Sequence, residues 1–299
     1  QAARAANLDA VHISLPVSKI HLDALGKDWT WVQQQLHAIV DLARDRYGMR
    51  YISIGAQDAT RAEPARLCRF AQWVCDVGAD RLRLADTVGI AEPHQITHMI
   101  ESVCAATDHN LPVGMHSHND LGLALANTLA AVRAGARWVD VTVLGIGERA
   151  GNAALEQWAV LASRMDDLPD TRITLDHLAD VCAMVSECSG RAIAVDQPLV
   201  GRAVFEHESG IHVRGQMADR RCYEPLDPQQ IGRRDGRCVL GRHSGRAAVA
   251  AALEASGMTV DDDQLNALIE QVRQRAMQQK SVVTTDQLAQ MCHALEAVS

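Results

Sequence analysis

Two histidines separated by one residue, followed by an amide and a carboxylate, stand in the segment MHSHND at 115–120. If this segment ends a strand, His116 and His118 point to the same face, because side chains alternate along extended backbone. Two neutral imidazoles aimed together suit a divalent metal, although a carboxylate or amide must complete the ligand set. The competing reading is a polar strand end in which Asn119 or Asp120 caps the following helix. Taken alone, the segment fits both.

Three more segments carry groups capable of chemistry. LGIGERAGNAALE (144–156) joins glycines, which permit close backbone approach, to Glu148, Arg149 and Asn152. There Asn152 reads either as a site residue or as a cap for a helix starting near Ala153. In RLADTVG (83–89), Thr87 is placed to donate a hydrogen bond to a substrate carboxylate, or else Asp86 and Thr87 simply turn the chain. FEHESGIHVRGQMADRRCYEP (205–225) sets His212 and Tyr223 in an irregular stretch, the kind of segment that often carries function and equally the kind that is an inert loop.

These groups need a frame, and the hydrophobic pattern supplies one. Strand-like runs at 10–18, 49–58, 80–87, 111–118 and 137–147 are each followed by an amphipathic helical pattern. Such alternation predicts a parallel sheet with crossover helices. A doubly wound sheet and a (β/α)8 barrel both fit. Polar residues recur where the strands end: Ser14 and Ser18, Gln57 and Asp58, Asp86 and Thr87, His116 and His118, Glu148 and Asn152. A single functional face at the strand C-termini favours the barrel. Past about residue 165 the rhythm stops, and a linker, a Gly-, Arg- and His-rich stretch at 193–243 and terminal helices follow. The expected organisation is a catalytic α/β domain at 1–165 and a smaller, mainly helical region at 166–299.

Composition removes some functions. A net charge of −8 and only 3% aromatic residues argue against nucleic-acid binding through charge or base stacking. No run of ~20 apolar residues suggests a membrane span, and no signal peptide opens the chain. Eight scattered cysteines without a CxxC pair point to reduced thiols and a cytoplasmic location.

Together, HSHNDLGLALANTLAAVRAGARWVDVTVLGIGERAGNAALE, FEHESGIHVRG and VLGRHSGRAAV resemble the isopropylmalate and homocitrate synthase family of acyl-CoA-condensing (β/α)8 enzymes. VHISLPVSKIHLDALGKDW tilts the resemblance toward homocitrate synthases of the nitrogenase-cofactor type. It implies that the five strands are the fourth to eighth of the barrel. The first three, with an Asp-x-Thr-Leu-Arg-Asp-Gly-x-Gln motif that supplies a metal-binding acid, would precede Gln1, so a portion of a longer chain is expected. The resemblance also implies condensation of acetyl-CoA with a 2-oxo acid, then thioester hydrolysis. His116, His118 and Asn152 would hold Mg²⁺, Mn²⁺ or Zn²⁺, and Thr87, Arg61 and Ser18 would contact substrate. His212 would act as acid–base residue with Tyr223 as its partner, reaching into the neighbouring subunit of a homodimer. Gln57 departs from the pattern: the family has a glutamate there, and an amide cannot take up a proton.

The chain is short for the regulatory domain of isopropylmalate synthases, which favours 2-oxoglutarate over 2-oxoisovalerate as substrate. A non-catalytic, barrel-derived binding or assembly protein and an acyl-CoA lyase are the rivals from other classes.

Overall fold

The computed structural model describes residues 8–168, 171–208, 215, 218–233 and 237–296. The chain divides into two compact units, Gln1–Ile173 and Thr174–Ser299.

The first unit carries five parallel strands: β1 (Ala10–Pro16), β2 (Tyr51–Gln57), β3 (Arg81–Asp86), β4 (Val113–Ser117) and β5 (Trp138–Asp140). Their spatial order is their order in the chain. Each strand therefore adds to the same edge, whereas a doubly wound sheet needs a reversal of strand order. That progression, together with the placement of the helices, is the barrel pattern.

The crossovers are α1 (Lys19–Leu25) and α2 (Trp29–Asp41), then α3 (Pro64–Asp76), α4 (Pro93–Ala106) and α5 (Ala124–Arg133), with α6 (Leu155–Ser163) after β5. Their starts are written in local chemistry. Ser18 Oγ accepts from His21 N at 3.2 Å and Asp28 Oδ1 from Trp31 N at 2.8 Å. Glu63 precedes Pro64, and Glu92 with Gln95 forms a capping box around Pro93, whose fixed φ suits a first helical turn. The end of α2 departs from a plain helix: residues 42–46 widen into a π turn before Gly48 closes it at φ +64°.

One parity of strand residues builds the core. Ile52, Ile54, Leu82, Leu84, Val113 and Met115 are almost wholly buried against Leu36, Val40, Phe70, Val74, Ile96 and Ile100 of the helices. The opposite parity, the inner face, is polar: His12, Ser14, Ser53, Arg81, Arg83, His116 and Asp140. Register sets His12 opposite Ser53, Ser53 opposite Arg81, and His116 opposite Asp140. Gly55 belongs to this face for a steric reason. A Cβ there would lie 2.4 Å from Ser14 Oγ and 2.8 Å from His12 Nε2.

β5 is shorter than the pattern at 137–147 predicts, because the chain leaves the sheet after Asp140. It makes a 3₁₀ turn at Val143–Gly145, with Leu144 at φ +59°. Glu156, nearly fully buried, accepts from Leu144 N at 2.9 Å and holds that turn.

The second unit begins with α7 (Leu178–Ser189), continues through a largely irregular stretch with a short parallel pair (β6, Glu206–His207; β7, Arg237–Cys238), and ends in α8 (Arg246–Ala255), α9 (Asp262–Gln279) and α10 (Thr285–Glu296). These last helices bury Val249, Leu253, Leu268, Val272 and Leu288 in a core of their own. Among the described residues, no helix is long and apolar enough to cross a membrane.

Candidate active site

β4 aims His116 and His118 together. Their Nε2 atoms stand 3.2 Å apart, with ring planes perpendicular and centroids 4.8 Å apart. His118 is fixed just beyond the strand by a bridge to Asn152, and Asn119 N donates to Gly151 O at 2.9 Å. Asn119 Oδ1 also accepts from Ala124 N at 3.1 Å, satisfying the first amide of the next helix, whose N-cap position is Leu123. Metal site and cap are thus not exclusive readings of the segment.

The residues fit a divalent ion. Nitrogens that share one ion at about 2.1 Å each, subtending roughly 90–110°, lie about 3.0–3.4 Å apart. Burial, then the nearby His116 and Arg149, lowers the pKa of His118, which keeps it in the neutral, lone-pair form that ligation requires. Asn152 Nδ2 donates to Ile146 O at 3.2 Å, leaving Oδ1 buried with no hydrogen-bond partner among the described residues. Asn152 does not cap α6, which starts without a side-chain cap. Among the described residues, no cluster of three or more His, Cys, Asp or Glu side chains forms a complete ligand set. The donors present are two imidazoles and an amide oxygen.

Beside the histidines lies a cavity of about 220 Å³, lined by Ser14, Gln57, Arg83, Thr87, His116, His118 and Glu148 among others. Larger hollows occur between α3 and α4, where His94 and His98 are among the lining residues, and around Glu208 and Arg242 in the second unit. Gln57 ends β2 with its side chain exposed. Thr87 Oγ1 accepts from Asp58 N at 2.8 Å, so its own proton is available to a ligand. Arg149 grips Asp120 through two hydrogen bonds of 2.8 and 3.0 Å and donates to Thr87 O at 2.7 Å. That pairing holds the Asp120 carboxyl below its ordinary range and ties the loops after β3, β4 and β5.

Arg61 and Ser18 stand apart from this cavity. Arg61 Nε bonds both carboxylate oxygens of Asp58 at 2.8 and 3.0 Å, and Asp58 is fully buried at φ +63°. Ser18 is buried as the cap of α1. Tyr223 lies in the second unit, exposed, with its ring over Gly215, where a Cβ would lie 2.4 Å from Cε2. His212 lies outside the described residues.

The inner face adds residues that sequence reasoning did not single out. Arg83 Nη1 contacts His12 Nε2 at 3.0 Å, Arg81 Nε donates to Ser53 Oγ at 3.0 Å, and His12 Nδ1 is 2.9 Å from Ser53 Oγ. An arginine can only donate, so Nε2 of His12 accepts and Nδ1 carries the proton. Packing around the ring, then Arg83 and Arg81, lowers the His12 pKa to about 4. Arg83 Nε lies 2.5 Å from Asp140 Oδ2, and His116 Nδ1 is 3.3 Å from the same oxygen. Burial pushes the Asp140 pKa up, but His116, Arg83 and Arg81 outweigh it and keep the carboxyl below its usual range. Polar residues at alternating positions in VHIS, RLRLAD and WVDV are the signal that would have revealed this row.

Residues 1–185 match the family described as HMGL-like, and residues 199–280 match the homocitrate synthase post-HMGL domain-like family. The chain is 42% identical over 283 residues to a 2-phosphonomethylmalate synthase of Streptomyces rubellomurinus, covering 94% of this chain and 74% of that protein. It is 40% identical to 2-isopropylmalate synthase 2 of Caldanaerobacter subterraneus subsp. tengcongensis, covering 91% and 70%. To a homocitrate synthase of Frankia sp. it is 41% identical, covering 94% and 68%. The crystal structure of hydroxymethylglutaryl-CoA lyase from Pseudomonas aeruginosa superposes with a TM-score of 0.57 at 19% identity, over 64% of this chain and 66% of that one. The HMG-CoA lyase of Brucella melitensis gives 0.55 at 19%, over 62% and 69%. These two likenesses show the barrel fold alone.

Proposed function

Because the chain belongs to the HMGL-like family of acetyl-CoA-dependent condensing enzymes, we propose that it joins acetyl-CoA to an acidic 2-oxo acid, 2-oxoglutarate foremost, and releases CoA. The product would then be homocitrate. The observation that carries this reading is the convergence of His116 and His118 beside a cavity that also holds Arg83 and Thr87.

Members of the family use a divalent metal ion, and His116, His118 and the Asn152 amide oxygen are the residues that would hold it. When bound, such an ion supplies Lewis-acid polarisation of the ketone. The chain's own groups do the rest. Thr87 Oγ donates to the carboxylate next to the ketone. Arg83, with Arg81 and neutral His12 behind it, faces the distal anion, where a charge-assisted hydrogen bond fixes orientation. A base removes one proton from the acetyl methyl group, and the resulting carbon nucleophile forms a C–C bond to the ketone carbon. The ketone oxygen takes up a proton to become the tertiary alcohol, and water then cleaves the thioester. His212, partnered by Tyr223, is the proposed acid–base residue, contributed by the second subunit of a homodimer. Gln57 lines this cavity, but its amide can neither take up nor release a proton for the reaction.

The arginines favour an acidic substrate over a branched aliphatic one. A pocket for 2-oxoisovalerate would be apolar, whereas this face presents Arg81, Arg83, His12 and Ser53. A 2-oxo acid ending in phosphonate is the second reading. The same cations suit it, and the 42% identical relative is named for a phosphonomethyl product.

The test is release of free CoA thiol with Mn²⁺ or Mg²⁺, comparing 2-oxoglutarate, 3-phosphonopyruvate and 2-oxoisovalerate. Release with either acidic substrate is expected. Release with 2-oxoisovalerate alone would overturn the substrate assignment, and no release from any acid would leave a non-catalytic binding protein.

A further inference from the structure

Asp140 stands between the two halves of the site. Its Oδ2 lies 2.5 Å from Arg83 Nε, the cation proposed for the distal anion, and 3.3 Å from Nδ1 of His116, a proposed metal ligand. β5 puts it there by register, directly opposite His116. Resting on the reading that His116 and His118 hold a divalent ion, we infer that Asp140 is a positioning residue that couples the metal half of the site to the anion half.

His116 Nδ1 is buried without a hydrogen bond of good geometry among the described residues and faces this carboxylate at 3.3 Å, an arrangement that favours the tautomer with the proton on Nδ1 and a lone pair on Nε2 toward His118. An outer carboxylate of this kind fixes ring orientation and raises ligand basicity. The same oxygen is the counter-ion of Arg83, a guanidinium whose pKa burial lowers, with the nearby carboxylate acting in the opposite direction. Arg81 sits over the Trp138 ring at 5.3 Å and donates to Ser53, so Asp140 is not its ion-pair partner. With an ion held by its Nε2, His116 would pull harder on Asp140 and so loosen the hold of that carboxylate on Arg83, leaving Arg83 readier for the substrate's distal anion. Coupling of this sort is reciprocal: bound substrate tightens the metal.

The experiment has a readout that needs neither metal nor activity. Nitrogen-15 NMR of the imidazoles in the metal-free parent protein at pH 8, with His116 assigned by its loss in His116→Gln, is expected to show the Nδ1–H tautomer. The Nε2–H tautomer would overturn the proposal, and no Asp140 variant has to fold for this result. In Asp140→Asn, the Mn²⁺ dissociation constant measured by electron paramagnetic resonance should rise about 10- to 100-fold. Metal-free binding of 2-oxoglutarate should tighten, because Arg83 has lost its competing charge. These opposite signs separate coupling from structural damage, which would weaken both. Unchanged Mn²⁺ affinity, or loss of both affinities, overturns the role. A parent protein that binds no Mn²⁺ overturns the metal reading, and the tautomer then decides the position of Asp140 on its own.

Discussion

Nε2 of His12 accepts a hydrogen bond from Arg83 across 3.0 Å, which is possible only while the imidazole is neutral. With a pKa of about 4 in the fold against 6.5 as the ordinary value, the unfolded chain binds the extra proton between those limits. Stability from this residue is therefore complete above about pH 6.5 and falls away as the pH drops toward 4. The ring keeps an exposed edge, and solvent screening reduces the effect to about 1 kcal/mol. Denaturant midpoints at pH 7 and pH 5 should differ by more in the parent than in His12→Asn. An equal pH dependence in both would contradict the neutral assignment.

Divalent ions should raise the melting temperature of the parent and leave a His116→Ala/His118→Ala variant unmoved. At an ion concentration one hundred times the dissociation constant, the stabilisation is about 2.7 kcal/mol. Calorimetry with and without Mn²⁺ measures it directly. A double variant that still responds to the ion would move the metal elsewhere.

Gln57 lines the cavity with an amide, where the family resemblance implies a glutamate. Gln57→Glu should increase the rate of CoA release by roughly 10²- to 10⁴-fold if a carboxylate there takes part in proton transfer, and should add an acidic limb to the pH–rate profile. An unchanged rate and profile would show that position 57 only orients its neighbours.

Arg83→Met removes the cation proposed for the distal anion. A hydrogen bond to a charged group contributes about 1.5–3 kcal/mol, so KM for the acidic 2-oxo acid should rise roughly 10- to 150-fold while KM for acetyl-CoA holds. Steady-state kinetics with each substrate varied in turn give the answer. A parallel loss for both substrates would mean that Arg83 supports the fold rather than the anion.

The strand–helix rhythm and the pairing of His116 with His118 were legible because both are short-range properties. A period of two along 113–118 is enough to aim two imidazoles together. The row His12–Arg83–Asp140–His116 was not legible in the same way, since its members sit on different strands and meet only through sheet register. Each looks like an unremarkable polar residue until register places His116 opposite Asp140. Arg61 shows the limit of reasoning from sequence spacing. Four residues from Gln57, it nonetheless spends its guanidinium on Asp58, because Asp58 takes a left-handed turn and is buried where it needs a counter-charge. β5 ended early for a comparable reason: the turn at Leu144 depends on Glu156, twelve residues away, which no local pattern announces.

The segregation of the sheet into two parities has a bearing on how such a protein can change. Residues such as Ile54, Leu84 and Met115 lie against the helices, while Ser14, Arg83 and Asp140 look the other way. Altering the second set leaves the packing of the first in place. A lineage or a mutant library can therefore change what this face recognises by rewriting alternate letters of the strands, with the helix-facing core left in place. Gly55 sets the boundary of that freedom, because any side chain there collides with Ser14 and His12.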